Sequence, residues 1–294
     1  MWYFLALLID GALSGALYAL VALAFVIVYK AAAMMNFALG EWVVLGAVLA
    51  GTGLHTLRLG TVGALLFAAL GMILLAAGFY HIVVRRLVAH PAISAIMVTW
   101  GLGMVMRGSG LLWLSGAPAL FPPTLLSEPV MLGDVAIAAG KLVAACVAGL
   151  CVALIGGFWR FSRTGIALRA IADDPRAAMA AGIDVDRQLL IVWSLAGVVA
   201  VIAGVLWTFV VGGGFGVALI GLKVFPIVIL GGLDSIPGTI VAAVAVGVLE
   251  SLGAGYLDES LGPGFGAVAP YFVLLAMLMV RPFGLFGQQR VERV

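Results

Sequence analysis

Hydrophobic positions in this chain run in long unbroken blocks, and polar residues are confined to the short intervals between them. The blocks are Tyr3–Tyr29, Asn36–Ala50, Thr61–Val84, Ala92–Leu114, Val135–Trp159, Leu189–Val211, Val217–Gly232, Pro237–Leu252 and Ala267–Val280. Apolar residues are continuous within each block rather than alternating, which is a pattern of helices and not of barrel strands. Crossing the ~30 Å hydrocarbon layer takes about 20 helical residues. Asn36–Ala50, Val217–Gly232 and Pro237–Leu252 run to only about 16 residues, a rise of ~24 Å. They are read as tilted, broken or re-entrant helices. Backbone groups in lipid must find partners within their own segment. The prediction is therefore an all-α, polytopic transmembrane helical bundle of eight or nine spans, a single membrane domain over residues 1–294.

One polar interval stands apart. Residues 160–188 read RFSRTGIALRAIADDPRAAMAAGIDVDRQ and hold five arginines and four aspartates, in a chain that is 65% hydrophobic and 10% charged. Asp173-Asp174-Pro175 is a helix start signal, because aspartate suits the N-cap and proline the first helical position. An alanine-rich stretch follows, and Gly182 is placed as a C-terminal stop. The segment predicts a short helix, Asp173–Ile183, presented to one aqueous side for a partner to dock on.

Composition and charge refine this picture. The mean hydropathy of +1.26 leaves no room for a soluble domain. The pI of 8.7 does not point to nucleic acid, because the basic residues lie at span ends. Placing Lys30, Arg85, Arg86, the Arg160–Arg187 group, Arg281, Arg290 and Arg293 on one side gathers 11 of the 15 Lys and Arg there. By the positive-inside rule that side is the cytoplasm, so the N-terminus faces out and the C-terminus in. Tyr3–Tyr29 has no basic lead-in and is read as a retained span. Ser115–Gly133, rich in proline, is read as an outer strap. Cys146 and Cys151 lie off one helix face and lack metal spacing, so both are expected to be buried free thiols. The 40 glycines, with Gly11 and Gly15 in one small-xxx-small face and Gly101, Gly103, Gly108 and Gly110 crowding another block, predict close helix packing.

Candidate chemistry is sparse. Charged groups inside a span are functional candidates by default. Glu41, in Asn36-Phe-Ala-Leu-Gly-Glu41, accepts a proton, contacts a substrate amine or holds two helices together, or else bonds neighbouring backbone at a break with Asn36 capping the helix. Lys223 lies three residues before Pro226, a kinking position, and either faces a path or snorkels to the interface. Asp234 and Ser235 are both available to cap the helix that begins at Pro237. Arg107 pairs with Glu41 or with Glu250, or sits nearer an interface than the hydropathy suggests. No phosphate-binding loop is present, so the chain does not itself hydrolyse ATP. No paired histidines or nucleophile turn support hydrolase chemistry, and no metal site is expected.

These residues carry a family likeness. Gly15-Ala-Leu-Tyr-Ala-Leu-Val-Ala-Leu23, Asn36-Phe-Ala-Leu-Gly-Glu41, Arg163-Thr-Gly-Ile-Ala-Leu-Arg-Ala170 with Gly182-Ile-Asp184 and Arg187, Gly221-Leu-Lys223, Leu230 to Thr239, and Arg281 to Gly287 together resemble the permease subunits of bacterial branched-chain amino acid ABC importers, the LivH type. The resemblance covers nearly the whole chain. It implies an inner-membrane importer with alternating access. The implied partners are a second homologous permease, two ATPase subunits that bind ATP and Mg, a periplasmic binding protein and the lipid bilayer, with no nucleic acid and no cofactor in this chain. The Asp173–Ile183 segment then corresponds to a coupling helix, with Asp173, Asp174, Pro175, Arg176, Ala180, Gly182 and Ile183 toward the ATPase. Asn36, Glu41 and Lys223 are the candidates for the path. The chain departs from the family pattern at Leu39, where histidine is usual, and at Asp234, where glycine is common. The wider family also handles urea, short amides and carboxylates. Two other classes remain alternatives: an ion-coupled secondary transporter relaying through Glu41 and Arg107, and a passive channel for a small polar solute such as urea.

Overall fold

The computed structural model describes residues 2–87, 92–113, 129–132, 135–211, 218–281 and 284–287. In chain order these form α1 (Trp2–Ala32), α2 (Leu39–His55) and α3 (Gly60–Phe79), which continues through a π turn (Tyr80–Val84) into α4 (Arg85–Leu87). Then come α5 (Ala92–Trp113), β1 (Val130–Leu132), β2 (Val135–Ile137), α6 (Ala139–Phe161), α7 (Arg163–Asp173) and α8 (Pro175–Ala180). The rest is α9 (Val185–Val211), α10 (Ala218–Gly231), α11 (Ile236–Tyr256), α12 (Asp258–Leu261) and α13 (Phe265–Val280).

Among the described residues, five helices are long and apolar enough to cross a membrane: Trp2–Ala32, Gly60–Leu87, Ala139–Phe161, Val185–Val210 and Ile236–Tyr256. Leu39–His55, Ile220–Gly231 and Phe265–Val280 are shorter apolar helices. The short lengths expected for the second and seventh blocks therefore hold. The eighth block does not stay short, because α11 runs for 21 residues. Its glycines do not end the helix: a Cβ on Gly253 would lie 3.0 Å from Gly266 of α13, and Tyr3 donates to the Gly255 carbonyl at 3.1 Å. Close packing outweighs the low helix propensity of glycine.

A second departure is β structure. Val135–Ile137, expected to open a span, instead pairs antiparallel with Val130–Leu132, and α6 begins at Ala139. Apart from residues 129–132, the strap expected over Ser115–Gly133 lies outside the described residues, as do Arg290 and Arg293. The thiols depart as well. Both are free, but Cys146 is exposed and Cys151 half-buried rather than buried.

α1 is the centre of the molecule. From Leu17 to Val28 every one of its residues is buried, and it packs on α6, α9, α10 and α11. Its closest neighbour is α11. A Cβ on Gly15 would stand 2.6 Å from the Val244 Cα, and one on Gly11 the same distance from the Val248 Cα. Small residues on both sides let the two backbones touch. α3, α5 and α13 lie outside and expose large apolar side chains such as Leu66, Leu74, Met104 and Met279, as lipid-facing helices do.

The contacts repeat. α1 packs on α11 as α9 packs on α3; α2 packs on α9 as α10 packs on α1; α2 joins α3 as α10 joins α11. Exchanging α1, α2 and α3 for α9, α10 and α11 thus restores the same neighbours. α1 and α9 run in opposite directions, since the start of α6 adjoins both Asp10 near the start of α1, through Lys141, and Phe209 near the end of α9, through Gly140. This is the arrangement of an inverted repeat, with the two short helices α2 and α10 crossing at its centre.

Candidate functional site

Two regions matter, one at an end of the bundle and one inside it. At the end, the polar interval folds as two helices rather than one. Ser162 caps α7 by accepting from the Gly165 N–H at 2.8 Å. Arg169 ties α7 back to α6 by donating to the carbonyls of Trp159 and Arg160. Asp173 is the last residue of α7, so the expected cap belongs to Asp174. Its carboxylate accepts from the N–H groups of Arg176 (2.8 Å) and Ala177 (3.1 Å), with Pro175 in the first turn. The far end closes where expected. Gly182 has φ +82°, its N–H donates to Met179, and that of Ile183 donates to Ala178, both at 3.0 Å. These bonds form a Schellman closure, which a residue with a Cβ resists. Pro175, Arg176 and Ala180 are exposed, and only Ala178 of α8 is buried.

The same end holds Lys30 and Arg85 of the charges expected to lie together. Lys30 donates to the Asp234 carbonyl at 3.0 Å. Arg85 pairs with Asp186 at 2.9 Å, and Tyr80 donates to the same carboxylate at 2.9 Å from the π turn. Of the two capping candidates, Ser235 caps α11 by accepting from Gly238 at 3.1 Å.

Inside the bundle, α2 and α10 cross at Gly40 and Gly221, where a Cβ on Gly221 would stand 2.5 Å from the Gly40 Cα. Phe37 and Phe225 stack beside the crossing at 4.4 Å. Asn36 is 1% exposed and does not cap α2, whose N-cap is Ala38. It accepts instead from the Ala38 N–H at 3.1 Å, and its own amide N–H₂ has no partner among the described residues.

The crossing separates two cavities. The smaller, about 110 Å³, is lined by Phe37, Gly40, Glu41, Trp100, Arg107 and Gly221 among others. Here Arg107 pairs with Glu41, donating from Nη2 at 2.7 Å and from Nε at 3.0 Å, which resolves its choice of partner. The larger, about 590 Å³, lies between α1, α9, α10 and α11. Lys223 enters it and pairs with Glu250 rather than snorkelling. Tyr18 completes the group, donating to Glu250 at 2.7 Å and accepting from Lys223 at 3.2 Å. Near the mouth Lys141 of α6 pairs with Asp10 of α1.

Asn36, Glu41 and Lys223 are therefore not one site. Glu41 and Lys223 serve different cavities, and Asn36 lines neither. Sequence reasoning missed Tyr18, Glu250 and Asp10 as site residues. Glu250 and Asp10 are carboxylates inside apolar runs, so the criterion that selected Glu41 was enough to find them. Tyr18 carries no such signal. No group of three or more His, Cys, Asp or Glu able to hold a metal occurs among the described residues.

Comparison with known proteins adds four findings. The family described as branched-chain amino acid transport system / permease component matches residues 7–281. The high-affinity branched-chain amino acid transport system permease protein LivH of Salmonella typhimurium is 28% identical, over 99% of this chain and 98% of its own length. BraD of Pseudomonas aeruginosa, of the same description, is 27% identical over 100% and 99%. Among solved structures, PsaBC from Streptococcus pneumoniae in complex with Fab superposes with a TM-score of 0.51 and 18% identity, over 94% of this chain and 92% of that one. That last likeness is one of fold.

Proposed function

The chain belongs to the branched-chain amino acid transport system permease family, and from that premise we propose that it is the membrane subunit of an ABC importer for branched-chain or other hydrophobic amino acids. The substrate class follows the activity named for its full-length relatives LivH and BraD. A second homologous permease, two ATPase subunits that bind and hydrolyse ATP, and a periplasmic binding protein complete the machine. The N-terminus lies in the periplasm and the C-terminus in the cytoplasm. Alternating access is the mechanism: nucleotide binding closes the ATPase pair, which moves α8 and tilts the spans around the α2–α10 crossing. The driving energy is the differential affinity of nucleotide for the two states.

The observation that carries this reading is α8. It is a six-residue helix with a capped start and a closed end, exposed on all but one residue. A helix this short is not stable alone, and full capping on an exposed surface fits a rigid element held out for a partner. Asp174 and Arg176 contact the ATPase in this proposal, with Asp173 at the joint to α7.

Asp174→Ala in the complete transporter tests it. Loss of the cap costs about 1 kcal/mol of local helix stability. ATP-dependent uptake and substrate stimulation of ATPase activity should fall together, with the complex still assembled. Undiminished uptake would remove α8 from the coupling pathway.

A further inference from the structure

The larger cavity is shaped as more than a packing gap. Along α1 it runs from Leu7 to Tyr18, and Tyr18 is near the middle of the 31-residue helix. It therefore extends ~16 Å along the helix. Its other walls are the final turns of α9 and α11, at the end of the bundle opposite α7 and α8, and the first two turns of α10 beside the crossing. The cavity therefore opens away from the proposed ATPase side and ends near mid-membrane.

At its floor stand one cation and one anion, Lys223 and Glu250, with their side chains 28% and 21% exposed. Leu7, Trp207, Val210 and Ile220 supply apolar wall. An ion pair kept only for structure is seldom better than apolar packing of the same volume. The other half of the inverted repeat shows that alternative. Two residues past Gly40, where α10 has Lys223 two past Gly221, α2 has Trp42. Trp42 packs with Phe79 and Trp193 at 6.3 and 5.9 Å and fills the space, with Trp42 and Trp193 both 0% exposed. At this position one half is filled by aromatic rings, and the other is hollow and charged.

We infer that this cavity is an intramembrane binding site for the transported solute, and that it selects a zwitterion bearing an apolar side chain. This rests on the importer reading above. The solute carboxylate takes Lys223, the solute ammonium takes Glu250, and the Tyr18 hydroxyl, already bonded to both, bridges them. A net-charged solute meets a like charge on the floor. An uncharged solute separates the pair without replacing either partner, which leaves charges unmatched in a low-dielectric site. A zwitterion replaces both.

The test uses the assembled complex, with Cys146 and Cys151 replaced by alanine and Ser14→Cys introduced in the cavity wall as a reporter. The complex is placed in nanodiscs of phosphatidylglycerol, whose headgroup carries no ammonium. L-leucine should slow labelling of the reporter by a membrane-impermeant thiol reagent. 4-Methylpentanoate, which lacks the ammonium, and 3-methylbutylamine, which lacks the carboxylate, should not. In proteoliposomes, Lys223→Met/Glu250→Gln should raise the KM for leucine by about tenfold or more, the scale of lost hydrogen bonds to charged groups. Equal protection by either one-charge analogue, or no protection by leucine in a complex that imports it, overturns the site and leaves the importer reading standing. ATP-driven uptake restricted to charged or uncharged solutes overturns the site and, with it, the amino acid substrate class, while leaving ATP-driven import standing. Labelling already blocked in phosphatidylethanolamine discs without leucine assigns the cavity to a lipid headgroup and also overturns the proposal. Absence of any ATP-driven uptake would instead sink the importer reading itself.

Discussion

At the scale of residues, the described interior of the bundle balances its charges in pairs. Asp10 meets Lys141, Glu41 meets Arg107, and Glu250 meets Lys223. Breaking such a pair costs more than removing it, because the surviving charge is left without a partner. Glu41 is the deeper member of its pair, at 11% exposure against 38% for Arg107. Arg107→Met should therefore lower the melting temperature of the purified complex more than Glu41→Gln does. The double variant should recover part of the loss, with a coupling energy of about 0.5–3 kcal/mol in a double-mutant cycle. Strictly additive losses would show that the pair contributes nothing beyond its two separate side chains.

Among the helices, stability depends on where glycine permits contact. Gly15 brings the α1 and α11 backbones together, and a valine there would press a side chain into the Val244 backbone. Gly15→Val should destabilise the protein by about 1–3 kcal/mol or more, as overpacking does, read as lost yield and an earlier thermal transition in detergent. At Gly101 of α5, a Cβ would meet nothing within 4 Å among the described residues. Gly101→Ala should leave the isolated chain as stable or slightly more so, since alanine is the better helix former. The two glycines look alike in sequence, and only their neighbours separate them. The same holds for α11, whose glycines read as a helix end until α13 and the start of α1 are found packed against them.

For the whole molecule, sidedness is the property to test. The contacts of Lys30, Arg85 and Arg169 place α7, α8, the ends of α1 and α6 and the start of α9 at one pole, away from the large cavity. In a chain with Cys146 and Cys151 replaced, Met179→Cys on the exposed side of α8 should be labelled by impermeant reagents only from the cytoplasm. Trp2→Cys should be labelled only from the opposite side. Labelling of both from one side would contradict the proposed orientation and with it the direction of transport.

What the sequence determined by itself was set by local chemistry. Long apolar blocks require helices in lipid, so the helical membrane class and most of the block positions followed. The α8 cap at Asp174-Pro175 and its stop at Gly182 followed as well, because capping bonds reach only two to five residues along the chain. The tertiary structure decided what depends on distant partners. It chose Glu41 for Arg107 and Glu250 for Lys223, extended α11 past its glycines, placed Val135–Ile137 in a strand, and put Glu41 and Lys223 in separate cavities. It also revealed the repeat, in which Trp42 fills with aromatic rings the position that Lys223 takes in the other half. The physical reason is range: backbone capping and hydropathy act between near neighbours, whereas ion pairing and helix contact join residues up to more than 200 positions apart, as Tyr18 and Glu250 are joined.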